Sequence, residues 1–187
     1  MANKSTLKKG KKKWFDIYAS KEFREQIIGE TPAYDINELK GRAVIVDIGK
    51  IADVKKPNAR LIFQVTEVKD KGGFTELFGY EIPQSHLKRS VRINSSKIAD
   101  SLKLKTKDNV EIIIKPMLIT KGKAARNVLK SLRKVMIEEL KREIGERDYI
   151  EVLMDIIRNK IQVSIKNNVK KIHPVTFCDF SKVQRRG

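Results

Sequence analysis

Residues 60–82 read RLIFQVTEVKDKGGFTELFGYEI. In the first half, Leu61, Phe63 and Val65 fall at every second position, which is the spacing of side chains on one face of a β-strand. Asp70-Lys71-Gly72-Gly73 is a strong turn signal, and a second β-rich run follows it up to Pro83. Two such runs around a glycine-rich turn predict a β-hairpin.

More strands are predicted on both sides of this hairpin. Residues 43–48, 90–94 and 110–120 are rich in β-branched residues, and Pro116 is expected to cause a bulge or to mark an edge. Strands joined by turns at intervals of 10–20 residues predict an antiparallel barrel or a strongly curled antiparallel sheet, with the β-rich part spanning 41–120. The preceding region, 14–40, has no clear period.

Within that region we expect an aromatic entry and one short helix. This entry consists of Trp14, Phe15, Ile17 and Tyr18, which are expected to be clamped to the core. Ser20 is expected to cap a helix that runs through Phe23 and Ile27 and ends at Gly29.

After Gly122 the apolar residues recur at steps of three and four, as on an amphipathic helix of about 20 residues that ends at Gly145. Asp148 is expected to cap a second helix, whose apolar face extends to Ile165. The pair predicts a helical hairpin within residues 123–168, and 172–183 reads as a final strand. The predicted fold is therefore α+β, with a single domain at 14–187 behind a basic tail at 1–13.

Charge is the strongest functional signal. The chain has 41 Lys and Arg but only 23 Asp and Glu, so its net charge is +18. Self-repulsion of this size opposes a compact state, and it predicts a polyanionic partner, of which nucleic acid is the leading candidate. The tail holds six lysines and no acid among its first thirteen residues, so we expect it to be disordered when unbound. These lysines are Lys4, Lys8, Lys9, Lys11, Lys12 and Lys13.

The helix after Gly122 carries a second group of basic residues away from its apolar stripe. Positions 126, 130, 133 and 134 share one side of a helix, so they could follow a phosphate backbone. With the loop before the helix, the predicted contacts are Lys121, Lys123, Arg126, Lys130, Arg133 and Lys134. Two smaller patches, Lys88-Arg89 with Arg92 and Arg185-Arg186, are weak signals alone.

Several classes of function find little support. The chain contains no GxxxxGK[ST] or GxGxxG element, and its carboxylates and two histidines show no acid–base spacing. Cys178 is the only cysteine, which excludes an intramolecular disulfide and a cysteine-based zinc site. We expect no cofactor and no catalytic residue. With no secretory signal and no apolar run of membrane-spanning length, a cytoplasmic protein is expected.

Two alternatives to a structural RNA-binding protein stay open from the residues alone. One is an RNA-processing or RNA-modifying enzyme with a basic platform, which would need a pocket with convergent acids. The other is a membrane-surface protein that uses the basic tail, although stable anchoring normally needs a second, apolar signal.

Six segments, taken in order, resemble the archaeal and eukaryotic family of small-subunit ribosomal proteins called eukaryotic-type S-one (older name, S-three-a-e). Lys11-Lys12-Lys13-Trp14-Phe15-Asp16 is the most specific piece. The others are residues 29–33, 39–42, the hairpin through Phe63 and Phe78-Gly79, the basic helix after Thr120-Lys121, and Ile172-His173-Pro174.

The resemblance implies a curled antiparallel β-domain with C-terminal helices on the platform of the small ribosomal subunit. It implies contacts with small-subunit ribosomal RNA and neighbouring ribosomal proteins, close to the messenger RNA exit, and no catalytic residue or cofactor. Eukaryotic members extend well beyond position 187, so the chain is more similar to archaeal members. The matching positions that would lie near RNA are Lys11, Lys12, Lys13, Trp14, Arg42, Lys121 and Arg126.

Overall fold

The computed structural model describes residues 11–51, 59–69 and 72–186, and within them the chain forms nine strands and four α-helices. The strands are β1 (Lys13–Tyr18), β2 (Ile27–Ala33), β3 (Ala43–Asp47), β4 (Arg60–Lys69), β5 (Gly72–Glu81), β6 (Lys97–Ala99), β7 (Leu102–Lys105), β8 (Glu111–Thr120) and β9 (Val175–Arg185). The helices are α1 (Gln84–Ser90), α2 (Arg126–Gly145), α3 (Tyr149–Ile157) and α4 (Lys160–Lys170).

The α+β class is therefore confirmed. Most of the predicted basic tail, residues 1–10, lies outside the described residues, and so do positions 70 and 71 of the predicted hairpin turn. No helix in the described ranges is both long and apolar enough to cross a lipid bilayer.

The strands are hydrogen-bonded in the order β2-β1-β5-β9-β8-β6, while β4 pairs with β3 and β5, and β7 pairs with β8. This order has two ends, β2 and β6, so of the two predicted alternatives, a barrel or a curled sheet, the barrel is wrong for the strands described. The predicted antiparallel arrangement also fails at one pair, because β1 runs parallel to β5 at Asp16–Tyr18. A parallel pair requires a long connection, and here 53 residues separate the two strands.

The described residues divide into two compact units. The first lies within Met1–Val46 and Phe63–Leu77, and the second within Asp47–Ile62 and Phe78–Gly187. Strands β4 and β5 contribute residues to both. In the first unit, a core of Ile17, Ala33, Leu39 and Val65 forms between β1, β2, β4 and a short 3-10 helix at Ile36–Leu39.

The second unit is built around β8, which pairs with β6, β7 and β9. Met117, Leu118 and Ile119 are consecutive and all buried, so both faces of this strand are covered. Helix α2 packs against α4, and α4 packs against β9 and α3. Each fully buried aliphatic side chain stabilises the fold by about 1.5–3 kcal/mol, and these layers hold α2 in a fixed position.

Residues 14–40 contain more β-structure than the sequence predicted. The expected helix from Ser20 through Ile27 is wrong, because only Lys21–Phe23 forms a single 3-10 turn and Ile27 begins β2. Pro32 is accommodated in β2 since, among the strands described, this one pairs with β1 alone and so lies at an edge. Ile17 is 1% exposed but Trp14 is 67% exposed, so the prediction that Trp14 is clamped to the core is also wrong.

Two other local predictions are wrong for identifiable reasons. Residues 90–94 do not form a strand, because α1 ends at Ser90 and a tight turn between Arg92 and Ser95 follows. The predicted helical hairpin is a set of three helices instead, since the second helix breaks between α3 and α4 at Asn159, whose φ of 61° is left-handed.

The remaining elements agree with the sequence. Strands β4 and β5 pair as the hairpin predicts, and the register of β8 against β9 shifts at Lys115/Pro116, which confirms the predicted bulge. Helix α2 ends at Gly145 as expected. Asp148 precedes α3 and forms a capping box with Glu151, so its predicted capping role is confirmed.

Candidate nucleic-acid interface

Helix α2 separates an apolar face from a basic one. Leu132, Met136 and Leu140 are at most 1% exposed and anchor the helix on the second unit. The predicted contacts on the other side are all exposed, and they recur at steps of three and four residues. They are Arg126, Lys130, Arg133 and Lys134.

These four cations differ in how far the protein itself neutralises them. Within the part of the chain that is described, Arg126 and Lys130 form no ion pair. Arg133 donates from Nε to Asp100 Oδ2 at 2.8 Å, and Lys134 Nζ lies 4.0 Å from Glu138 Oε1. Both partners of the second pair are more than half exposed, so it is weak in water. The first half of α2 therefore keeps most of its positive charge for a partner outside the chain.

The second half of α2 behaves differently, because its arginine belongs to a network of ion pairs. Arg142 is paired with Glu139 and with Glu143. Arg147, just after the helix, is paired through Nη1 with Glu143 at 2.6 Å and through Nε with Asp155 of α3 at 3.5 Å. This network ties α2 to α3, so the charge of these arginines is used inside the fold.

A buried threonine holds the loop that leads into α2. Thr120 is 1% exposed, and its Oγ1 accepts from the backbone N–H of Ser96 at 2.9 Å and donates to Gly122 O at 2.6 Å. Ser96 Oγ in turn accepts from the N–H of Ala124 at 3.1 Å. The loop between β8 and α2 is thus ordered, and it presents the exposed side chains of Lys121 and Lys123 beside the start of the helix.

The N-terminus of α2 has no side-chain cap. Its N-cap residue is Ala125, and its first turn contains no acidic residue. The N–H groups of a first helical turn have no partner within the helix, and they carry the positive end of the helix dipole. With Lys121, Lys123 and Arg126 nearby in the chain, this end suits an anion such as phosphate.

Apart from Arg42, the predicted RNA contacts of the first unit that the structure describes lie where β1 begins. Lys11, Lys12 and Lys13 are exposed, and so is Trp14, which faces Pro32 across the pair of β1 and β2. Lys12 Nζ lies 5.3 Å from the ring centroid of Tyr34, a cation–π distance. Three further predicted contacts fall outside the described residues, namely Lys4, Lys8 and Lys9.

The guanidinium of Arg42 forms contacts within the protein that the sequence did not predict. Its Nη1 donates to Thr31 Oγ1 at 3.0 Å and to Pro32 O at 3.1 Å, and its Nη2 lies 3.9 Å from Glu38 Oε2. The guanidinium therefore fastens β2 to the residues before β3, and the role of Arg42 in RNA contact stays a prediction.

Sequence reasoning did not include the end of α4 in the candidate interface. The backbone N–H of Lys121 donates to Pro174 O at 3.0 Å, so the chain just after α4 lies against the loop before α2. Lys170 and Lys171, at the end of α4, are both exposed. The only available signal was a lysine pair at the end of a predicted helix, which is also the ordinary place for cations near the negative end of a helix dipole.

A polar cluster around Asp179 joins α4 to β9 in the second unit. Asp179 Oδ1 accepts from Gln162 Nε2 at 3.0 Å, from the N–H of Phe180 at 2.8 Å and from Tyr80 Oη at 3.4 Å. Burial, and then the charge of Asp179, raises the pKa of Tyr80 well above its ordinary value. Oδ1 of this carboxylate therefore accepts from three donors of the protein itself. In the described ranges, no three His, Cys, Asp or Glu side chains come together as metal ligands.

Comparison with known proteins gives one consistent match. A sequence model of the Ribosomal S3Ae family matches residues 3–185. The chain is 30% identical over 187 residues to small ribosomal subunit protein eS1 of Sulfurisphaera tokodaii, covering 98% of this chain and 97% of the relative. It is 28% identical over 185 residues to the protein of the same name from Halorubrum lacusprofundi, covering 98% and 86%. The corresponding protein of Nanoarchaeum equitans is 31% identical over 169 residues, covering 89% and 85%.

Proposed function

The chain belongs to the Ribosomal S3Ae family, and from this premise we propose that it is a structural constituent of the small ribosomal subunit that holds ribosomal RNA by phosphate and shape recognition. The three archaeal relatives described above are each named small ribosomal subunit protein eS1. The role that follows is structural: the protein associates with the ribosome and its neighbouring small-subunit proteins, and it is not an enzyme.

One observation carries the RNA-binding part of the proposal. Arg126 and Lys130 project from a helix that is anchored on its other face, and among the described residues they have no ion-pair partner. Fixing cations without neutralising them costs the folded protein free energy through repulsion. A phosphate backbone recovers that cost, because each neutralised phosphate also releases counterions.

The preformed loop before α2 supports phosphate recognition at the same end of the helix. The hydrogen bonds of Thr120 and Ser96 order Lys121 and Lys123 before any partner arrives. A partner that binds an ordered loop does not have to supply the free energy of ordering it.

The basic residues of the tail and of β1 are a separate group of proposed RNA contacts, in the first unit. We assign to RNA contact Lys4, Lys8, Lys9, Lys11, Lys12, Lys13 and Trp14, together with Arg42. The division into a tail at 1–13 and one domain at 14–187, and a position near the messenger RNA exit, belong to the same proposal. They rest on composition and on the resemblance of the lysine run before Trp14.

A matched pair of double variants tests the proposal. Arg126→Gln with Lys130→Gln removes two cations that have no ion-pair partner in the described ranges, whereas Lys105→Gln with Lys160→Gln removes two cations that are paired with Glu111 and Asp155. Both double variants lose the same charge from exposed positions of the second unit. Affinity for a small-subunit ribosomal RNA transcript is measured by filter binding from 50 to 400 mM KCl.

We expect the first double variant to lower the slope of log affinity against log salt by about 2, roughly one per lost phosphate contact. The control pair should lower the slope by much less. Equal slopes for both variants, or an affinity of the unaltered chain that does not depend on salt, would contradict the proposal.

A further inference from the structure

The segment between β5 and Asp100 combines strong positive charge with an exposed apolar tip. Residues 82–99 contain four Lys or Arg and no Asp or Glu. The cations are Lys88, Arg89, Arg92 and Lys97, and all four are exposed. In the part of the chain that the structure describes, none of them forms an ion pair. We refer to residues 88–97 as the 88–97 segment.

Ile93 lies at the tip of this segment and is 94% exposed, while Leu87 and Ile98 on either side of the segment are at most 3% exposed. The segment is therefore anchored at both ends and projects between them. Burial of Ile93 contributes nothing to folding, although covering an aliphatic side chain of this size yields about 1.5–3 kcal/mol.

The tip has a defined conformation. Ser95 Oγ donates to Arg92 O at 2.6 Å, and the N–H of Ser95 donates to the same carbonyl at 3.2 Å. Asn94 has a φ of 66°, a left-handed conformation that asparagine tolerates better than most residues. The turn thus presents Ile93 between ordered neighbours.

The base of the segment is fastened to the loop before α2. The N–H of Ser96 donates to Thr120 Oγ1 at 2.9 Å, the N–H of Thr120 donates to Ser96 O at 3.0 Å, and the N–H of Ala124 donates to Ser96 Oγ at 3.1 Å. These three bonds place the segment next to Lys121, Lys123 and the uncapped start of α2. Two groups of cations that are about 30 residues apart in sequence therefore belong to one surface of the second unit.

We infer that the 88–97 segment is a second RNA-binding element, in which Lys88, Arg89 and Arg92 bind phosphates and Ile93 packs against a ribose or base face in the shallow minor groove or in an open loop. The inference rests on the proposed function and extends it to a surface that the family match does not assign. The 88–97 segment contacts the loop before α2 through Ser96.

The arrangement favours RNA over a protein partner. A stable protein interface covers a group of apolar and aromatic residues and avoids charge at its centre. Here the exposed apolar side chains are only Ile93 and the less exposed Val91, at 94% and 38%, and they stand among four cations. Nucleic-acid-binding proteins use this combination to place an apolar side chain in a minor groove while arginine and lysine hold the backbone. The wide minor groove of RNA helices also presents riboses and base edges at the surface.

Site-specific photocrosslinking tests which partner covers Ile93. We would place p-benzoylphenylalanine at position 93, and at position 163 as a control, since Val163 is 54% exposed on α4. Small subunits assembled with each full-length chain are then irradiated. We expect position 93 to form an adduct with ribosomal RNA and position 163 to form much less. An adduct of position 93 with a protein, or no adduct in assembled subunits, would overturn the inference.

Binding measurements separate this inference from the function it rests on. Ile93→Ser should weaken binding to a small-subunit ribosomal RNA transcript about three- to tenfold and leave the salt slope unchanged, while Val163→Ser should change neither. Arg89→Gln with Arg92→Gln should lower the slope by about 2. If the unaltered chain binds with steep salt dependence but these variants match it, only the role of the segment fails. If the unaltered chain shows no such binding, the proposed function itself fails.

Discussion

Thr120 is a single residue on which two parts of the proposed interface depend. It is 1% exposed, and its hydroxyl accepts from Ser96 N–H and donates to Gly122 O. A buried polar group of this kind stabilises the fold only while it is fully hydrogen-bonded. Its side chain therefore links the end of β8 to the loop before α2 and to the base of the 88–97 segment.

Thr120→Val keeps the shape of the side chain but removes these hydrogen bonds. Because the N–H of Ser96 then loses its acceptor, we expect the free energy of unfolding to fall by about 1–3 kcal/mol. Urea denaturation followed by circular dichroism measures the change. Thr176→Val is the matched control, since Thr176 is exposed on β9, and it should shift the midpoint little. Equal effects at both positions would show that the hydrogen bonds of Thr120 do not stabilise the fold.

Cys178 shows how a residue's surroundings determine its chemistry. Burial, and then the negative charge of Asp179, raises the pKa of its thiol to about 12 from an ordinary value of 9.0, although Lys166 acts in the opposite direction. The thiolate is the reactive species, so we expect this thiol to react slowly in the folded protein.

We expect iodoacetamide at pH 8 to alkylate Cys178 at least tenfold more slowly in the folded chain than in the same chain in urea, as followed by mass spectrometry. The same shift in pKa makes the stability of the fold depend on pH. Between pH 9 and 12 the unfolded chain loses the thiol proton and the folded chain keeps it, so the free energy of unfolding falls as pH rises. A Cys178→Ala chain should lack this part of the decline. Comparable alkylation of folded and unfolded chains would contradict the assignment.

At the scale of elements, the break between α3 and α4 shows where the local sequence pattern failed to predict the end of a helix. The apolar period continues from Ile150 to Ile165, which predicted one helix. The break occurs at Asn159, whose N–H donates to Ile156 O at 3.1 Å and closes the last turn of α3. A left-handed residue ends one helix, and α4 then starts in a direction that lets it pack against both α2 and β9.

Two substitutions at position 159 test this explanation. Alanine in a left-handed conformation costs about 1–2 kcal/mol, while glycine adopts it freely. We therefore expect Asn159→Ala to lower the free energy of unfolding by about 1 kcal/mol and Asn159→Gly to leave it unchanged or slightly higher. Chemical denaturation gives both values. A more stable alanine variant would show that α3 and α4 can join into one helix, against this account.

For the whole molecule, the net charge of +18 connects stability with function. The same repulsion that favours a polyanionic partner opposes the compact state of the free protein. Salt screens both effects, with a Debye length of about 10 Å at 0.1 M.

Added salt should therefore act in opposite directions on folding and on binding. We expect the melting temperature of the free protein to rise by several degrees between 50 and 400 mM KCl, while its affinity for ribosomal RNA falls by orders of magnitude. Differential scanning fluorimetry and filter binding in the same buffers provide the two curves. A melting temperature that falls with KCl would mean that specific ion pairs, and not overall repulsion, dominate the electrostatics of the free chain.

The amino-acid sequence by itself determined the properties that depend on neighbours along the chain. Alternation predicted β4 and β5, Pro116 predicted the bulge in β8, and steps of three and four predicted α2 with its basic face. Periodicity reports which face of an element is buried, and composition reports total charge, so the class of partner could also be predicted.

Only the tertiary structure decided which distant residues meet. It pairs β1 with β5 in parallel, and among the described residues it gives Arg126 no ion-pair partner while Arg142 joins an ion-pair network. It also joins Ser96 to Thr120, which brings a basic segment that is a weak signal alone beside the predicted basic group at the start of α2. Such contacts depend on the register and packing of strands and helices far apart in the chain, and no local pattern records them.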